Sequence, residues 1–241
     1  MGVDGLIALG GVLLLLLLVG VAIGLVDRRK FDPRWLGVAL LLVAANDALL
    51  TRGYGVLPDL QPVGFERNWQ GQVAAFVLSL AIAALPAFGW RRVGLTLAQA
   101  PGSLRAALPV LAAYCAFFLA IALAFPGDAA TAEEVAFQLS MPGLQEELFY
   151  RGLLLFALDR AFTGRVRLLG VDWGWGAVLS CALFGLAHAF GYSDGAFSFD
   201  PLYMALTALP ALIGVWLRLR TGSLLLAVVM HNFGNAVSLL I

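Results

Sequence analysis

The run LQEELFYRGLLLFAL, residues 144–158, is apolar enough for a lipid bilayer, yet it carries Glu146, Glu147 and Arg151. An ionisable group inside a membrane is costly and by default marks a functional site. Spacing divides the three. Glu147 and Arg151 are four apart, so on a helix they share one face and can pair. Glu146 is turned about 100° away and has no partner in its own helix. Pro142 and Gly143 come just before, with Ser140 as a plausible cap. Both carboxylates then fall near a helix N-terminus, where the backbone dipole favours negative charge. A lone Glu–Arg pair can simply pin helices together; the extra Glu146 needs a separate reason.

The chain has two histidines, and each sits in a short cluster. In FGLAH, Phe184 and His188 share a face, so the ring packs beside the imidazole. Taken alone, His188 reads first as a satisfied core histidine. In HNFGN, His231 and Asn235 share a face and can either hold an oxyanion or bridge helices. Asn232 points elsewhere. Asn46 and Asp47 read as interhelical hydrogen-bonding groups.

Hydrolysis needs an activated nucleophile and donors for the developing oxyanion. The sequence has neither a GxSxG elbow nor an HExxH pair. Cys181 is seven residues before His188, about 10 Å along a helix and too far to pair with it. Carboxylate, imidazole and amide remain. Glu146 with His188 can deprotonate a water, while His231 and Asn235 donate to a carbonyl oxygen. Two alternatives stand beside this metal-free, cofactor-free reading. One is a zinc hydrolase with Glu146, His188 and His231 as ligands. The other is a non-enzymatic immunity, chaperone or transport protein, although the paired broken helices of a transporter are not visible.

The elements that must position these groups follow from composition. Of 241 residues, 61% are hydrophobic and 12% charged, with mean hydropathy +0.92. A soluble domain is nearer a quarter charged. The expected fold is all-α, a polytopic membrane bundle of about eight transmembrane helices of about 20 residues each. They are expected at residues 5–26, 34–50, 70–89, 104–125, 143–161, 174–191, 202–219 and 222–240. Residues 1–241 form a single membrane domain, with a motif-bearing core at 142–235 and N-terminal helices at 5–125 as scaffold. Net charge is zero, so no basic surface points to nucleic acid. Cys115 and Cys181 suit neither a disulfide framework nor a zinc cluster. The first apolar run has its positive charge after it, at Arg28, Arg29 and Lys30, so it reads as a retained span. The N-terminal acylation pattern starting at Met1 fails at Leu6. Gly20 and Gly24 match a helix-contact motif.

Loop charge orients the bundle. Twelve basic residues fall in one set of loops: Arg28, Arg29, Lys30 and Arg34; Arg91, Arg92 and Arg105; Arg160, Arg165 and Arg167; Arg218 and Arg220. The other set holds only Arg52 and Arg67 and is rich in acids, including Asp59, Asp128, Glu133 and Glu134. Both termini are therefore expected outside the cytoplasm. All three polar clusters fall in the outer half of the bilayer, where they can meet.

These clusters carry a resemblance. EELFYR (Glu146 to Arg151) resembles the EExxxR motif of the CPBP family, the CAAX-protease and bacteriocin-processing or Abi-type membrane proteins. FGLAH resembles its FxxxH motif and HNFGN its HxxxN motif, in the family's order, over roughly residues 142–235. The resemblance implies a glutamic intramembrane endopeptidase in which Glu146 and His188 activate water and His231 and Asn235 form the oxyanion hole. Glu147, Arg151 and Phe184 then support them. The implied partners are the lipid bilayer and a membrane-anchored protein or peptide, in a cell membrane of bacterial plasma-membrane type. Family members similar to prenyl-protein proteases work on cytoplasmic CAAX tails. The outward site expected here instead favours C-terminal tail processing of exported proteins, with the cytoplasmic prenylated tail as the alternative.

Overall fold

The computed structural model describes residues 2–127 and 129–241; Met1 of the acylation pattern and Asp128 of the acidic loops lie outside them. The chain is a helical membrane bundle. Helix α1 spans Gly2–Val26, and a 3₁₀ turn at Arg28–Lys30 leads to α2, Pro33–Leu50. Asp32 caps α2 by accepting from the Arg34 amide at 2.9 Å, with Pro33 in the first turn. Next come α3 (Trp69–Ala84), α4 (Leu104–Ala124) and the short α5 (Ala132–Gln138). Then α6 (Met141–Glu146) runs on through a π-helical stretch, Glu147–Leu154, into α7 (Leu155–Ala161). Helix α8 is Trp175–Ala189, α9 is Pro201–Thr221 and α10 is Leu225–Ala236.

All eight apolar segments are helical, but among the described residues only α1, α2, α4 and α9 are long and apolar enough to cross a membrane. The expectation of eight clear spans is corrected at the other four, and each shortfall has a local cause. Helix α3 stops at Ala84 because Leu85 precedes Pro86 and turns extended, with ψ 141°. Helix α8 ends at Ala189, where the chain enters a hairpin, Phe190–Ser193 (β3) with Ala196–Phe199 (β4), paired from Phe190↔Phe199 to Ser193↔Ala196. Helix α10 starts only after the turn through Gly222, Ser223 and Leu224. The 143–161 run is broken in its hydrogen bonding by the π stretch. A second hairpin joins Val166–Leu168 (β1) to Val171–Trp173 (β2). Neither hairpin is visible in the hydropathy pattern.

The α6–π–α7 run is the axis of the bundle. Leu148, Leu153, Leu154 and Leu158 are buried on it, as are Gln145, Glu147 and Arg151. Helix α1 stays peripheral, with Leu14 and Leu18 exposed. Its small-residue motif is used: a Cβ on Gly20 would come within 2.8 Å of Leu36 on α2. The basic loops gather at one end. Thr163 donates to the Lys30 carbonyl at 2.9 Å, Arg218 to the Arg92 carbonyl at 2.8 Å and Arg220 to the Gly170 carbonyl at 3.3 Å. At the other end, Glu133 and Glu134 of α5 hold Arg67 and the Trp69 indole at the start of α3, the indole bond being 2.6 Å.

Candidate active site

Every residue singled out in the three clusters lines one cavity of about 420 Å³: Glu146, Glu147, Arg151, Phe184, His188, His231 and Asn235. Four elements supply them. Glu146 ends α6 and Glu147 opens the π stretch, Phe184 and His188 come from the last turns of α8, and His231 and Asn235 come from α10. The cavity lies at the ends of α6 and α8 away from the basic loops.

The local pairing foreseen from spacing is present: Arg151 Nη1 is 3.2 Å from Glu147 Oε1, both side chains almost fully buried. Glu147 Oε1 also accepts from His231 Nδ1 at 2.8 Å. The other nitrogen of that ring, Nε2, is 3.6 Å from Glu146 Oε2. So Glu146 is not the isolated carboxylate that a single helix suggests. It shares His231 with Glu147 and receives a 3.4 Å bond from Gln72 Nε2. The reason is the shape of imidazole, whose two nitrogens sit on opposite edges and can face two carboxylates at once.

His188 Nδ1 lies 2.8 Å from the Phe184 carbonyl. A carbonyl only accepts, so Nδ1 carries the hydrogen, and in the neutral ring the lone pair is on Nε2. Phe184 is the hub of an aromatic layer. The Arg151 guanidinium stands 4.3 Å from its ring centre, and the rings of Tyr150, His188 and His231 are 5.1, 4.7 and 5.9 Å away. The cation over the ring face and the rings at its edges hold Arg151, whose Nε has no hydrogen-bond partner among the described residues.

Asn235 faces the cavity and donates to Gln138 Oε1 at 3.1 Å. Asn232 points away, as its register requires, and clamps α6. Its Oδ1 accepts from the Gly143 amide at 2.8 Å and its Nδ2 donates to the Ser140 carbonyl at 3.2 Å. Asn46 accepts from Gln145 at 2.7 Å, an interhelical bond. Asp47 is held by the Tyr54 hydroxyl. Among the described residues, no three His, Cys, Asp or Glu side chains are arranged as a metal ligand set. Both His231 nitrogens face carboxylates, and His188 keeps one nitrogen on a backbone carbonyl.

Sequence reasoning missed five polar lining residues, Gln72 on α3, Tyr114 on α4, Gln138 at the end of α5, and Tyr203 and Thr207 on α9. They have no spacing relation to the motifs. Gln72 was open to detection as an amide inside an expected span. Tyr114 lay hidden among the rings of an apolar helix.

Residues 116–237 match the family described as Type II CAAX prenyl endopeptidase Rce1-like. No curated protein and no solved structure matches the chain.

Proposed function

Because the chain belongs to the Rce1-like family of type II CAAX prenyl endopeptidases, we propose that it cleaves the tail of a membrane-anchored protein by a glutamic mechanism. One observation carries the reading: Glu146, His188 and Asn235 line the same cavity. A water between the Glu146 carboxylate and His188 Nε2 has an acceptor on either side. Glu146 takes its proton as the oxygen attacks the scissile carbonyl, and returns that proton to the leaving amine. Asn235 has a second amide hydrogen beyond the one given to Gln138, and it donates to the oxyanion. In this reading His231 is a positioning residue: its Nδ1 is bonded to Glu147 and its Nε2 lies 3.6 Å from Glu146, which sets Glu146 against Glu147 and Arg151. No metal or cofactor enters this reading.

The outward site is part of the proposal. Twelve basic residues in one set of loops support a cytoplasmic position for that end, and the cavity is at the other. The substrate class is then the C-terminal tail of an exported protein. The prenyl endopeptidase description of the family favours a second reading, a prenylated cytoplasmic tail. The test compares membrane and secreted proteomes of cells carrying the wild-type chain or Glu146→Gln. Tails processed only by the wild type are expected, with cleavage by the variant down at least about 10³-fold. Wild-type cleavage by Glu146→Gln would sink the mechanism, and prenylated substrates alone would move the site to the cytoplasmic side.

A further inference from the structure

The hydroxyl of Tyr114 makes no hydrogen bond among the described residues, although it lines the cavity that holds Glu146, His188 and Asn235. Tyr114 is half-buried, and a tyrosine hydroxyl held against a cavity with no protein partner keeps its O–H for whatever binds there. Its placement is specific. A Cβ on Gly234 would lie 2.5 Å from the Tyr114 oxygen and 3.4 Å from Cε1 and Cζ. Gly234 therefore admits the phenol against the backbone of α10. Gly234 lies three residues after His231, on the same helical face, and immediately before Asn235. The ring is held by Phe118, stacked at 4.5 Å between centres. Tyr114 itself lies outside the segment matching the family.

We propose that Tyr114 is a catalytic residue, donating its O–H to the oxyanion beside Asn235. The inference rests on the peptidase reading. Water adds to the scissile carbonyl, and its proton goes to Glu146. The carbonyl π pair moves onto oxygen, and the Tyr114 and Asn235 hydrogens converge on that oxygen. The pair then returns to re-form the carbonyl, the C–N bond breaks, and the amine takes the proton from Glu146. Nothing but water is consumed. In this assignment Tyr114 supplies the donor that His231, whose Nδ1 hydrogen goes to Glu147 in the neutral ring, does not.

The test measures kcat and KM in proteoliposomes on a tail peptide identified by the comparison of wild type with Glu146→Gln. Tyr114→Phe keeps the ring and its stacking. It is expected to lower kcat about 100- to 1000-fold with KM changed less than about threefold, as for loss of one oxyanion donor. Gly234→Ala should lose a similar factor by displacing the phenol oxygen. Combined with Tyr114→Phe it should cost little more, because the atom it displaces is gone. Full kcat in Tyr114→Phe, or a change confined to KM, overturns the assignment while leaving the Glu146 mechanism standing. A Glu146→Gln proteome identical to wild type removes both.

Discussion

At the scale of single residues, the costliest arrangement is the buried Glu147–Arg151 pair. Removing one partner of such a pair leaves an uncompensated charge and costs about 3–5 kcal/mol. Glu147→Gln should therefore destabilise the protein by that amount, read as earlier unfolding in a denaturant titration in mixed micelles. Adding Arg151→Met should recover much of the loss, since it removes the orphaned charge, yet leave activity low because His231 loses its anchor. A double variant no more stable than the single one would deny the pair this role. The pairing was legible because it is local, four residues along one helix. The contacts of His231 were not. They join positions more than eighty residues apart, and periodicity says only which face a side chain takes. Gln72 and Tyr114 were hidden for the same reason: no spacing rule relates α3 and α4 to the motif-bearing core.

At the scale of elements, Glu146 is aimed by the start of α6, and α10 holds that start. Asn232 takes one amide and gives to one carbonyl there. Asn232→Ala leaves the buried Gly143 amide unpaired, which costs about 1–3 kcal/mol, while the Ser140 carbonyl keeps the Leu144 amide, so thermal unfolding should move to lower temperature. Asn232→Asp should keep the Gly143 bond and recover part of the loss. A melting temperature unchanged in the alanine variant would show that the clamp carries no load. The existence of the helices was legible from apolar runs, but the cap expected at Ser140 is not made, because its hydroxyl turns back to the Ala136 carbonyl at 2.6 Å. The helix ends were less legible, because α8 gives way to a hairpin and α6 to a π stretch, and hydropathy is blind to both. The π stretch, Glu147–Leu154, opens at one carboxylate of the site and contains Arg151. Such interruptions of α geometry recur at functional sites.

At the scale of the whole molecule, the loops alternate in charge, and contacts among them gather the basic set at one end. A reporter active only in the cytoplasm, fused after Ile241, should give little signal, and one placed in the β1–β2 hairpin should give strong signal. The opposite pattern would invert the orientation and favour the prenylated-tail reading. The helices that carry the histidines are also short. Helix α8 has 15 residues and rises about 22 Å, against a hydrocarbon layer about 30 Å thick. Lipid beside it thins to match. Bulk solvent is thereby brought several ångströms nearer the carboxylates than in a flat bilayer. For a reaction that consumes water in an oily medium, this mismatch shortens the supply line of its second substrate.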